Sequence, residues 1–153
     1  MTTLHELNPD FRDLLLAFCA EGVEFVIIGA HALALHGVPR FTGDLDVFVR
    51  PSHDNAERTW RALVRFGAPI KAAGVSVADL ATPGIVYQIG LPPSRIDVLT
   101  AISGVSFDEA WASRESADLE GSTVCFVGRD VFVRNKQAAG RPKDLADVAR
   151  LKR

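Results

Sequence analysis

Residues 23–29, Val-Glu-Phe-Val-Ile-Ile-Gly, constrain this chain more than any other stretch. They are β-branched and nearly all apolar, as in a strand buried on both faces, and such a strand needs packed layers above and below it. Helices beside it meet that need. Phe11, Leu14, Leu15 and Phe18 recur at helical spacing over residues 8–21, with Asn8 as cap, Pro9 at the first helical position and Gly22 past the end. Residues 30–37 read as a short helix that begins where the strand ends and stops at Gly37. Residues 45–49, Leu-Asp-Val-Phe-Val, read as the next strand.

The alternation continues. Pro51 and Ser52 open a helix over 53–67, whose apolar side is Trp60, Leu63, Val64 and Phe66. Residues 68–84, with Pro69, Gly74, Pro83 and Gly84, read as loop. Two strands, 85–91 and 95–102, joined by Pro-Pro-Ser, read as an antiparallel hairpin. Ser106 and Glu109 form a capping box for a helix over 107–114. A strand at 123–128, a helix at 129–139 closed by Gly140 and a last helix opened by Arg141 and Pro142 complete the chain. No repeat or linker divides it. At 153 residues it is expected to be one α/β (α+β-like) domain with a single mixed sheet flanked by helices.

A formal net charge of -2 gives no general attraction for nucleic acid, although residues 134–143, Arg-Asn-Lys-Gln-Ala-Ala-Gly-Arg-Pro-Lys, concentrate positive charge. Cys19 and Cys125 have neither zinc-ligand nor disulfide-framework spacing and fit a reducing compartment. The start lacks a basic-then-apolar signal pattern, and no apolar run approaches the roughly 18 residues of a membrane span. A soluble cytoplasmic protein is the expectation.

Chemistry enters with Asp44 and Asp46. Residues i and i+2 of a strand face the same way, so these carboxylates share a face and need a counter-charge. A third carboxylate, Asp97, sits in the apolar segment Arg-Ile-Asp-Val-Leu-Thr, where it is costly to bury unless paired or metal-bound. Hard oxygen ligands suit Mg²⁺, and two ions about 3.5–4 Å apart can clamp the attacking and leaving oxygens of a phosphoryl displacement. The plain alternative is a turn leading into the strand, with Asp46 exposed on a sheet edge. Gly29 and Ala30, at a junction of strand and helix, are small enough to let a phosphate approach the backbone.

The stretch IIGAHALALHGVPRFTGDLDVFV (27–49), followed by RIDVLT (95–100), resembles the opening signature and third aspartate of the nucleotidyltransferase superfamily with the polymerase-beta-like fold. The segment KQAAGRPKDLADVARL (136–151) resembles the closing motif of small bacterial members grouped with the AbiEii toxins and the minimal nucleotidyltransferases. The resemblance implies that Asp44 and Asp46 hold one or two Mg²⁺ ions and that Asp97 completes the site and helps deprotonate an attacking hydroxyl. It also implies that Gly29 and Ala30 cradle a nucleoside triphosphate. Ala30 stands where many relatives carry serine or a second glycine, which leaves only backbone donors there.

Arg40 and Thr42 precede the aspartates: Arg40 either touches a phosphate or neutralises the pair. Lys136 either complements the end of its helix or places a charge on the triphosphate. Asp144 and Asp147, with Arg141, read as structural charges, and His36 as a packing residue, while His31 lies next to the phosphate turn. The implied acceptor is tRNA, a protein or a small molecule, with an antitoxin partner or a homodimer as possible assemblies. The competing reading is a non-catalytic nucleotide- or RNA-binding module of the same fold acting with a partner protein.

Overall fold

The protein is described here by a computed structural model covering residues 2–4, 7–39 and 42–152. In chain order the elements are β1 (Thr2–Thr3), α1 (Pro9–Ala20), β2 (Phe25–Ile28), α2 (Gly29–Leu35), β3 (Asp44–Val49), α3 (His53–Phe66) and α4 (Val77–Leu80). They continue with β4 (Val86–Ile89), β5 (Arg95–Leu99), α5 (Phe107–Ser113), β6 (Glu115–Leu119), β7 (Ser122–Phe126), α6 (Arg129–Ala139) and α7 (Pro142–Lys152). The strands form one seven-stranded sheet in the order β1-β6-β7-β2-β3-β5-β4. Pairs β1–β6, β7–β2 and β3–β5 are parallel, and β6–β7, β2–β3 and β5–β4 antiparallel. The expected mixed sheet and antiparallel hairpin are both present.

β2 is buried along its whole length, in keeping with its apolar sequence. Pairing sets Val47 opposite Ile27 and Phe48 opposite Val26, so alternate residues divide between the two faces. On one face Phe25 meets Phe18 of α1 edge to face, and on the other Phe48 meets Phe107 of α5 in the same geometry. Helices therefore cover both sides. Asn8 caps α1 by accepting from the Asp10 amide at 2.8 Å, and Gly67 closes α3 in the left-handed conformation. No helix among the described residues is long and apolar enough to cross a membrane.

Several elements depart from the expectation, among them β1, a strand not expected before α1. β6 reads Glu-Ser-Ala-Asp-Leu, too polar for a strand by composition, yet Ala117 and Leu119 face inward and it pairs with β7 across Glu120 and Gly121. Both turn residues have positive φ, as tight hairpins demand. α4 lies in the presumed loop at 68–84 and carries its own capping box, Ser76 with Asp79. β2 ends before Gly29 of the expected 23–29 because Gly29, at φ +67°, leaves the extended region and begins α2.

Candidate active site

β3 and β5 lie side by side in parallel register, with Asp44 opposite Arg95 and Asp46 opposite Asp97. Side chains of directly opposed residues share a face with Cβ atoms about 5 Å apart. The register thus builds a block of three carboxylates and one guanidinium. β3 is interior to the sheet, so Asp46 does not lie on an exposed edge as the plain alternative had it. Ile28 is opposite Asp46 on the other side, which brings the turn at Gly29 against the same carboxylate.

Gly29 is required here twice over. Its φ is +67°, and a Cβ built on it would lie 2.5 Å from Asp46 Oδ2. The space expected to admit a phosphate is therefore partly filled by Asp46. Gly29→Ala is expected to cost about 1–2 kcal/mol from backbone strain alone, and to push the Asp46 carboxylate aside. Thermal melting checks the first effect. A matching loss of metal affinity, read by calorimetry, checks the second.

Electrostatics within the block are unfavourable to full ionisation. Burial, then the charge of Asp97 and a hydrogen bond with it, then Asp44, push the Asp46 carboxyl up to about 7, against a partial opposing pull from Lys136. Asp97 is itself only 8% exposed. Arg95 supplies the counter-charge in contact with the block: its Nη2 lies 3.0 Å from Asp44 Oδ2 and 3.5 Å from Asp97 Oδ2. Sequence reading assigned Arg95 no role, although it stands two residues before Asp97 on the same strand face, the rule that paired Asp44 with Asp46. Among the described residues no three His, Cys, Asp or Glu side chains form a ready-made ligand cluster.

The donor chemistry nevertheless fits a hard divalent cation. Oδ1 of Asp44 and Oδ1 of Asp97 are buried without hydrogen-bond partners, and carboxylate oxygens are the ligands Mg²⁺ prefers.

These residues form the acidic floor of a cleft of about 450 Å³. The cleft is also lined from α6, α7 and the turn between them by Lys136, Arg141 and Lys143, with Asp144 among them. Lys136 is not a free helix-end lysine. It is buried, with Nζ 3.1 Å from Asp144 Oδ1 and 3.5 Å from Asp147 Oδ2. Arg141 clasps Asp144 as well, Nε to Oδ2 at 2.6 Å and Nη2 to Oδ1 at 3.1 Å. Burial alone would raise the Asp144 carboxyl, but hydrogen bonds from Arg141 and Lys136 outweigh it and hold the group below its ordinary value. The structural reading of Asp144 and Arg141 agrees with this pairing.

Ala30 is buried in the first turn of α2. The Thr42 hydroxyl accepts from the Asp44 amide at 3.2 Å and so shapes the turn into β3. Arg40 lies outside the described residues. His36 packs edge to face on Phe126, with Nε2 2.8 Å from the Val127 carbonyl oxygen, a packing role as expected. The His31 ring stands edge-on to Phe11, and burial lowers its pKa despite the pull of Asp44.

No family model and no curated protein matches the chain. Among solved structures it resembles a candidate nucleotidyltransferase from Thermotoga maritima, at TM-score 0.59 and 13% identity, over 95% of this chain and 94% of that one. It also resembles an antigenic nucleotidyltransferase-like protein from Paracoccidioides brasiliensis, at TM-score 0.50 and 19% identity, over 95% of this chain and 77% of that one. At these identities the likeness concerns the fold, which is that of the nucleotidyltransferases.

Proposed function

We propose that the protein is a Mg²⁺-dependent nucleotidyltransferase that moves a nucleoside monophosphate from a nucleoside triphosphate to an acceptor hydroxyl. The observation that carries this reading is the β3–β5 register, which sets Asp44, Asp46 and Asp97 together on the floor of a cleft that Lys136, Arg141 and Lys143 also line. In this reading the hydroxyl oxygen bonds to the α-phosphorus, the bond to the β-phosphate oxygen breaks, and pyrophosphate leaves. Asp44, Asp46 and Asp97 would hold one or two Mg²⁺ ions, whose charge favours the ionised hydroxyl and the developing phosphoryl charge. Asp97 receives the hydroxyl proton, and Lys136, Arg141 and Lys143 face the triphosphate.

The cationic lining supports a polyphosphate substrate because Lys136 and Arg141 are held in place by Asp144, so their charges are positioned before substrate arrives. The acceptor is a hydroxyl of tRNA, of a protein or of a small molecule. The toxin-like role and the antitoxin partner belong to this reading through the sequence resemblance, and the homodimer through the small size of the domain, whose site self-association would complete. Incubation with triphosphates labelled at the α-phosphate, together with total tRNA, cellular protein and hydroxylated small molecules in separate pools, tests the transfer. Mg²⁺-dependent label in one pool supports it and names the acceptor. No label in any pool counts against it.

A further inference from the structure

Arg95 touches two of the three carboxylates but is poorly bonded where it sits. One nitrogen, Nη2, serves both Asp44 and Asp97, while Nε is buried without a partner. The Oδ1 atoms of the same two carboxylates are also buried and unpartnered. A guanidinium that locks a site for good uses its fork, two parallel N–H groups on one carboxylate. Arg141 on Asp144 shows that geometry in the same cleft, and Arg95 does not. Its side chain is 32% exposed and lines the cleft, so it can turn away without unpacking the core.

We propose that Arg95 is a displaceable counter-cation, which neutralises Asp44 and Asp97 until a divalent metal takes their oxygens and then turns into the cleft to grip the substrate's phosphate. The inference rests on the nucleotidyltransferase reading. A metal ion on the unpartnered Oδ1 atoms would sit a few ångströms from a guanidinium on the Oδ2 atoms of the same carboxylates, and two cations that close repel strongly where burial lowers the dielectric. The displaced guanidinium finds its best partner in a phosphate, whose oxygens match the fork. Metal and triphosphate are thereby coupled through one side chain: the first frees what the second needs.

The test measures Mn²⁺ alone, through the free-ion paramagnetic resonance signal, and then the α,β-methylene analogue of each common ribonucleoside triphosphate with Mg²⁺, by calorimetry. Arg95→Ala is expected to bind Mn²⁺ at least about fivefold tighter than wild type, since its competitor is gone. The same variant is expected to bind the preferred analogue roughly tenfold more weakly. Arg95→Lys keeps the charge and loses the fork, so it should hold Mn²⁺ like wild type and still bind the analogue more weakly. If Arg95→Ala does not fold, Arg95→Gln carries the same two measurements. Mn²⁺ binding equal to or weaker than wild type in the neutral variant overturns the proposal, and so does undiminished analogue binding. A wild-type protein that binds no Mn²⁺ defeats the nucleotidyltransferase reading itself, which separates the two failures.

Discussion

Asp46→Asn is expected to reduce nucleotidyl transfer about a thousandfold or more, the rate equivalent of several kcal/mol of lost charge stabilisation, and yet to stabilise the protein in EDTA. In wild type the Asp46 carboxyl is raised to about 7 from 3.8, so the folded state binds a proton that the unfolded state releases. That contribution to stability is complete below about pH 4 and is lost as pH rises to about 7 and beyond. Asparagine has no proton to lose, so the variant's stability should lack this decline. Above pH 7 it should exceed wild type by on the order of 2–4 kcal/mol. Urea melts in EDTA at intervals from pH 4 to pH 8 test the sign. Parallel curves for the two proteins would show that Asp46 does not carry the shifted proton.

Asp144→Ala should produce the largest loss of stability. The carboxylate is fully buried and accepts from Lys136 and Arg141, so its removal leaves Lys136, itself buried, with Asp147. Breaking one partner of a buried ion network costs about 3–5 kcal/mol, which in a domain of this size lowers the melting temperature by roughly 10 °C. Differential scanning calorimetry reads the effect directly. An unchanged melting temperature would mean that α6 and α7 are not tied through this network. By the same logic Lys136→Ala should destabilise the fold as well as weaken nucleotide binding, contrary to the small effect expected of an exposed helix lysine.

Those two residues mark where sequence reading succeeds and where it stops. Asp44 and Asp46 were legible because strand alternation is local, and the apolar run after them identified the strand. Their meeting with Asp97 was a conjecture, since it depends on β5 lying parallel to β3 in one particular register, a fact of sheet order that no local pattern contains. β2 was legible because a strand buried on both faces is apolar throughout, and β3 because its Val47–Val49 end is apolar and buried. β6 was not, because only alternate residues enter the core and the rest are polar. The burial of Lys136 was hidden for another reason: Asp144 and Asp147 look like favourable first-turn charges of α7, and only the packing of α6 on α7 turns them onto the lysine.

Calorimetric titration of the wild-type protein with each nucleoside triphosphate, in Mg²⁺ and in EDTA, tests the central claim most directly. The account predicts saturable binding of at least one triphosphate in Mg²⁺, lost in EDTA and lost in Asp46→Asn. Binding that is equally strong in EDTA, or no binding under either condition, would contradict it: Asp44, Asp46 and Asp97 would then be a structural cluster balanced by Arg95 and one retained proton.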